Sequence, residues 1–399
     1  MLSTPSPSPN RAIAFLAVAS FASQAMVRSV DSLLPQIAAD VGTTVGIASI
    51  VVTAYALTHG TVQLIIGPIG DRMGKYRTIA LACVLSAVTV AICGLAQSLS
   101  MLAIARLASG ATAAWIVPLG IAYIGDVVPY ERRHQVLGSF LSGQIAGALI
   151  GQAAGGVLGD HFGWRSVFFA LAALFAIAAI LLVYELATNP LTRSADGPGT
   201  KPRGLFGDYA AVLTDPWARF VLLAVAVEGG MMWGVYTYVG ADLHMRFGLS
   251  FTAVGLIVAV FGAGGIAYAV AVRPLTAWLG PIGMARAGGA IMAVAFLMLA
   301  VQPVWWFAPA ATAAIGFGFY MHHNTLQTVG TQMTPQARGT ALGLFSSVFY
   351  IGQSLGAALA APVVDRLGAP PAFLASAIML PLLAFWFTRR LKQRETAQR

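Results

Sequence analysis

The stretch GPIGDRMGKYRTI, residues 67–79, sets three glycines, one acid and three bases between two long apolar runs. Elsewhere the chain is sparing with charge. Of 399 residues, 9% are charged and 58% hydrophobic, at a mean hydropathy of +0.78. Soluble domains carry about 25% charged and roughly 45–50% apolar residues. A chain this apolar is not a water-soluble monomer, so the charged stretch reads as a connection between two membrane spans.

Apolar runs of about 18 or more residues are span candidates, because roughly 20 residues cross the bilayer core as helix. Twelve follow one another, at 12–37, 46–66, 77–97, 101–125, 135–158, 164–186, 217–240, 250–272, 282–301, 304–328, 341–363 and 370–388. The bilayer core offers backbone groups no outside partner, which requires helix, and the alternating strands of a barrel are absent. The expected fold is therefore an all-α integral membrane protein with twelve transmembrane helices. The run AVASFASQA (17–25) imitates a signal-peptide cleavage site. With Arg11 alone before it and Arg28 and Asp31 soon after, the first span is expected to remain uncleaved. Cys83 and Cys93 fall in one apolar run and read as small hydrophobes.

Charge placement tests the span count. With the N-terminus cytoplasmic, 18 of the 23 Lys/Arg fall on inner loops and tails. Arg165, Arg246 and Arg366 fall outside, and Arg28 and Arg106 within spans. This is the positive-inside asymmetry, and it puts both termini in the cytoplasm of an inner-membrane protein. The net charge of +9 has no soluble basic face to go with it, which excludes nucleic acid as a partner.

The longest inner connection, with NPLTRSADGPGTKPRG, divides six spans from six. The expected organisation is a tail at 1–11, a bundle at 12–187, a linker at 188–215, a second bundle at 216–389 and a tail at 390–399. A constant offset of 205 matches residues 133–168 to 338–373 at eleven of 36 positions. Among them are Arg133/Arg338, Gly147/Gly352, Gly151/Gly356 and Asp160/Asp365. The spans are a duplicated six-helix unit, giving two pseudo-symmetric bundles about a central cavity.

The opening stretch resembles the signature loop of the major facilitator superfamily, G-x-L-a-D-r-x-G-r-k, between spans 2 and 3. Gly67, Gly70, Asp71, Arg72, Gly74 and Lys75 occupy its positions, with Ile69 replacing leucine. RLASG in span 4 puts Arg106 and Gly110 where the family has R-x-x-q-G. GALIGQAAGG in span 5 is similar to the antiporter motif g-x-x-x-G-P-x-x-G-G, with Gln152 in place of proline. DSLLPQIAAD in span 1 is similar to the pattern of twelve-span drug:proton antiporters. The resemblance implies a secondary transporter working between two bundles. It also implies a gating latch of Asp71, Arg72, Asp126, Glu131 and Arg132 across neighbouring helix ends, holding the outward-facing state. The blander alternative is ordinary interface charge. Exposed bridges contribute only about 0–1 kcal/mol each, so a latch must work as a network. The glycines Gly143, Gly147, Gly151 and Gly155, with Gly352 and Gly356, permit close helix contact, and the antiporter resemblance assigns that contact to the seam between halves.

Ionisable groups at span depth cost at least about 2.5–3.5 kcal/mol and are functional candidates. By helix rise, Asp31 lies about 28 Å from the inner end of span 1, and Arg106 about 8–10 Å below the outer end of span 4. Arg28 is one turn from Asp31. The expectation is a cavity cluster of Arg28, Asp31 and Arg106, either working or a static bridge, in which Asp31 stays charged. Glu228 is about 16–17 Å into span 7, near the midplane, flanked by Gly229, Gly230, Trp233 and Tyr236. It is the first candidate for proton exchange and Asp31 the second. Tyr55, His59 and Gln63 form a polar stripe on span 2. His322, His323 and Asn324 lie in span 10, where histidine either relays protons or ties helices together. Adjacent His322 and His323 are expected to point apart.

With no nucleotide loop, catalytic constellation or metal-ligand cluster, an enzyme is not expected and no cofactor is implied. The expected function is proton-coupled export of small lipophilic organic compounds or drugs by a monomer in the lipid bilayer, its partners being the substrate and protons. The alternative is a carrier of a sugar, nucleoside or organic acid, by symport or efflux. The topology predicts that cysteines placed at Ser194 and in the C-terminal tail are shielded from an impermeant thiol reagent in intact cells, whereas one at Gly248 reacts. Labelling of Ser194 from outside overturns the twelve-span arrangement.

Overall fold

The bilayer's demand for internally satisfied backbone groups is met by helix. The computed structural model describes residues 9–192, 205–334 and 337–397, and no strand occurs among them. The first crossing is α1 (Pro9–Arg28), a 3₁₀ turn (Asp31–Leu33) and α2 (Leu34–Asp40); the second is α3 (Val45–Ala48) with α4 (Ile50–Met73). Next come α5 (Lys75–Gly94), then α6 (Leu99–Ala113) with α7 (Ile116–Val127), α8 (Tyr130–Phe162) and α9 (Trp164–Thr188). After α10 (Leu205–Thr214), the seventh crossing is α11 (Pro216–Glu228), a π-helical turn (Gly229–Gly234) and α12 (Val239–Phe247). The chain ends with α13 (Phe251–Val301), α14 (Phe307–Gly330), α15 (Arg338–Leu367) and α16 (Pro370–Ala397).

Among the described residues, ten stretches are long and apolar enough to span a membrane. The two further crossings of the twelve-span reading fall on α13 and α14. At 51 residues α13 is about 76 Å long, too long for one bilayer, and it turns back at Gly280, whose φ of 62° suits only glycine. The helix α14 has 24 residues, but its run His322–His323–Asn324 dilutes its apolar character. Two boundaries differ from expectation. Residues 205–214 of the supposed linker form α10, whose Tyr209 hydroxyl donates to the carbonyl of Leu64. Residues 193–204 and 1–8 lie outside the described residues. The final helix runs through most of the expected tail, to Ala397.

Glycine contacts extend the internal repeat. A Cβ on Gly147 would meet the backbone of Phe21, and one on Gly352 the backbone of Ala226; Gly151 meets Ala25, and Gly356 meets Gly230. Each pair maps onto its counterpart at the same offset of 205, which carries the duplication from spans 5 and 11 into spans 1 and 7. This corrects the expectation for the ladder. Gly147, Gly151 and Gly155 seal α8 against α1 within one half, rather than sealing the halves together. Gly156 does that instead, backbone to backbone against Gly255 of α13. One residue along a helix rotates the side-chain direction by about 100°, enough to face the other bundle.

Across the halves, α4 packs on α15 and α8 on α13. Their joins gather at the face opposite the chain termini. Asp365, at the end of α15, accepts from Gly46 N (2.7 Å) and from the Thr44 hydroxyl (2.6 Å) at the start of α3. Its repeat mate Asp160, at the end of α8, accepts from Thr252 N (3.2 Å) at the start of α13. Each carboxylate therefore meets free N–H groups at the positive end of a helix in the other half. The Tyr238 hydroxyl donates to Ala357 O (2.7 Å) and lies 2.9 Å from the Ser49 hydroxyl at the same level. Toward the terminal face, a Cβ on Gly138, Gly339 or Gly343 would meet nothing within 4 Å.

Removing both clasps, Asp160→Ala with Asp365→Ala, should favour opening of this face. At about 1 kcal/mol each after solvent screening, the open-to-closed ratio rises roughly fivefold per clasp. Spin labels at Thr43 and Leu367 would register it as a longer-distance population. An unchanged distance distribution would show that the glycine seam alone holds the face shut.

Candidate functional site

The interruptions in the first and seventh crossings place the buried polar groups. They fall at corresponding points, residues 29–33 and 229–238, because α1 and α11 are repeat mates. Glu228 is the last residue of α11, fully buried, immediately before the π-helical turn. Gly229, Gly230 and Gly234 bring that turn against the backbone of α15. An inserted π turn re-aims side chains at its edge and frequently marks a functional position.

His322 Nδ1 lies 2.7 Å from Glu228 Oε1, and His323 Nδ1 lies 2.7 Å from Oε2. This corrects one expectation: the adjacent histidines do not diverge to separate surroundings, and both stand beside the acid that the glycines and aromatics flank. A step of about 100° separates their directions on α14, and the carboxylate lies between them, one oxygen to each ring. An ionised carboxylate only accepts, so both Nδ1 atoms carry hydrogen in that state. His322 is fully buried and its Nε2 has no partner among the described residues. His323 keeps 14% of its side chain exposed and stacks on Phe319, with ring centroids 4.8 Å apart.

Around the other interruption, Arg28 Nη1 pairs with Asp31 Oδ2 at 3.1 Å. Arg28 Nη2 donates to Gln353 Oε1 of α15 at 3.0 Å, reaching across the halves. The face of the guanidinium lies over Trp233, 3.7 Å from the ring centroid. Both charged side chains are nearly fully buried. Arg106 lies within electrostatic reach of Asp31 but makes no hydrogen bond or ion pair with it among the described residues. It donates from Nε to Val51 O (2.8 Å) and lies over Tyr55 (4.3 Å), so it belongs to the contact of α6 with α4. Its two Nη atoms and Asp31 Oδ1 have no hydrogen-bond partner among the described residues. Span 4 turns Arg106 toward span 2, which is why shared depth does not become contact.

Tyr55 and His59 stack at 5.3 Å, and His59 meets Tyr350 of α15 at 4.5 Å. Gln63 and Asn324 are half-buried, with side chains free of hydrogen bonds among the described residues. Tyr236 donates to Val258 O (3.0 Å), and Trp233 joins Phe261 and Phe319 in an aromatic group. Gln353 and Tyr350 are site residues that sequence reasoning misses. The only signal is polarity beside Gly352, at positions where the first half has Ala148 and Ile145.

At the terminal face, Asp126 pairs with Lys75 at 2.8 Å, tying the end of α7 to the start of α5. Gly74 makes the turn between α4 and α5 with φ 85°, and Gly70 packs on Leu119. Arg133 donates to the carbonyls of Gly125 and Val128. Arg72 and Arg132 are exposed and make no ion pair among the described residues. The side chains of Gly67, Asp71 and Glu131 lie outside the described residues.

Two duplicated helical halves that meet at one face, with buried polar side chains at interrupted helices between them, have the architecture of a membrane transporter. The chain belongs to the Major Facilitator Superfamily, which it matches over residues 16–357. It is 25% identical to Multidrug resistance protein 1 of Bacillus subtilis (strain 168) over 333 residues, covering 81% of each chain. It is 24% identical to the uncharacterized MFS-type transporter YceJ of the same organism, covering 87% of this chain and 88% of that one. Among solved structures it resembles a point mutant of the nucleoside transporter NupG, with TM-score 0.76, 15% identity and 95% and 99% of the chains covered. It also resembles a bacterial homolog of the human lysosomal transporter Spinster in an inward-facing, unoccupied conformation. There the TM-score is 0.74 at 19% identity, over 96% and 98% of the chains.

Arg28→Ala would leave Asp31 buried without its cation, a loss on the order of 3–5 kcal/mol. Thermal unfolding of the detergent-solubilised protein should show a marked drop, largely reversed in the double variant Arg28→Leu/Asp31→Asn. If the single variant unfolds like wild type, the pair contributes nothing to folding.

Proposed function

We propose that this protein is a proton-coupled exporter of small lipophilic organic compounds or drugs, working as a monomer in the inner membrane with both termini cytoplasmic. The bundles at 12–187 and 216–389 rock about the seam between them, and the conformation closed at the face opposite the termini is the inward-facing one. The observation that carries the reading is the carboxylate of Glu228 held between two imidazoles at a helix interruption. Such a triad holds a variable number of protons: with neutral rings it bears one negative charge, and one more proton cancels it. His323, with its residual exposure, is the entry; His322 is the buried partner that keeps the carboxylate oriented.

Energy must come from a gradient if Glu228 is a coupling group, because its proton occupancy then depends on whether water reaches it from one side or the other. The aromatic group of Trp233, Phe261 and Phe319 offers a lipophilic molecule flat, polarisable contact next to that charge. Likeness to a multidrug resistance protein supports the substrate class and the outward direction.

The test uses proteoliposomes with an imposed pH gradient and a lipophilic fluorescent dye. Glu228→Gln should reduce pH-driven accumulation to the level of protein-free vesicles while dye binding stays nearly unchanged. Asp31→Asn is the comparison. If Glu228→Gln accumulates dye normally and Asp31→Asn does not, the proton is carried at the Arg28–Asp31 pair instead.

A further inference from the structure

The last crossing ends FWFTRRLKQR, residues 385–394, with four bases in its final six positions. Because α16 continues as helix to Ala397, these bases are fixed on a rigid surface rather than spread along a tail. Trp386, Arg389, Arg390 and Gln393 stand at i, i+3, i+4 and i+7, one helix face, and line a cavity of about 320 Å³. Arg389 and Arg390 are exposed and make no ion pair or hydrogen bond among the described residues. Arg394, by contrast, is turned away to lie over Trp217 at the start of α11, 4.5 Å from the ring. Trp386 packs edge-on against Phe220 of α11 at 4.4 Å. Tryptophans gather at the level of lipid headgroups, so the two free guanidinium groups stand at that level too. Below them, toward the apolar part of α16, Leu382 and Phe385 are exposed.

We propose that this end of α16 binds the headgroup of an anionic phospholipid. Arg389 and Arg390 hold the phosphate, their planar donors matching its oxygens, and Trp386 forms the floor. The acyl chains run down past Phe385 and Leu382. Bases above and exposed apolar side chains below fit an amphiphile and give a soluble anion nothing for the lower half. Through the Trp386–Phe220 contact, the lipid touches the helix that carries Glu228.

Native mass spectrometry of the full-length protein, titrated in detergent with phosphatidylglycerol or phosphatidylcholine, tests this. Wild type should retain phosphatidylglycerol at least about tenfold more tightly than the variant Arg389→Ala/Arg390→Ala. Trp386→Ala, which removes no charge, should also weaken it, and phosphatidylcholine should not distinguish the proteins. The control pair Arg77→Ala/Arg273→Ala removes two exposed bases of the same face and should retain the lipid like wild type. Equal retention by wild type and the Arg389/Arg390 variant overturns the site. A control pair that loses as much lipid shows general charge attraction and overturns it as well. Displacement of the lipid by an equal concentration of inorganic phosphate assigns the arginines to a soluble anion instead.

Discussion

A carboxylate carried into the middle of a bilayer has no water to complete its hydrogen bonds, so the protein must supply a donor for each oxygen. Glu228 receives one imidazole on each side, both from α14. Much of the local architecture answers to that requirement. Adjacent residues can both reach one acid only if the acid lies in the wedge between their directions. The π-helical turn after Glu228 breaks the regular progression of α11 there, and its three glycines let the widened turn lie on α15. The polar run on α14 is tolerated because these contacts consume it. Phe319, Phe345 and Phe349 pack around His323, so the ring that retains exposure is also confined by aromatic walls.

The duplication distributes packing and chemistry differently. The glycine contacts of α8 on α1 recur in α15 on α11, and the acid that clasps a helix start recurs at Asp160 and Asp365. Packing has been kept in register because a bundle fails when its close approaches fail. Buried charge has not been kept. At the offset of 205, Glu228 corresponds to Ser23 and Asp31 to Tyr236, and Arg106, whose bond to Val51 O recurs as that of Thr312 to Ile257 O, corresponds to Thr312. One half carries an arginine-rich pair and the other a histidine-bracketed acid, so the two bundles are mechanically alike and chemically unlike.

Helix placement, the duplication and the buried ionisable residues are legible in the sequence, because each rests on composition or spacing alone. The Arg28–Asp31 pair is legible for the same reason, being three residues apart in one crossing, across the end of α1. What fails are inferences about direction around a helix axis. Arg106 shares the outer third with Asp31 but faces Val51 and Tyr55, and depth from helix rise carries no azimuth. Gly155 and Gly156 are neighbours in one motif, yet one faces α1 and the other α13. Spacing makes the two histidines diverge, because it gives the angle between two side chains and not what stands in it. The extents of α10 and α16 escape the sequence because charged and polar residues read as linker when their packing partners are unknown.

The pairing of Arg28 with Trp233 says where the centre of the molecule lies. The two residues are repeat mates at the offset of 205, and the guanidinium rests 3.7 Å from the indole centroid. Two positions related by a two-fold axis can touch only if both lie beside that axis. The pseudo-two-fold axis therefore runs past Arg28 and Trp233, with Gln353 reaching the same guanidinium from α15. When two halves rock, displacement grows with distance from the pivot, so contacts near the axis strain least and those at the faces most. A cation stacked on its own counterpart can persist through such a motion, while the clasps at Asp160 and Asp365, far from that point, must break. The layout thus puts permanent contacts at the centre and breakable ones at the rim, the division that a carrier alternating between two openings requires.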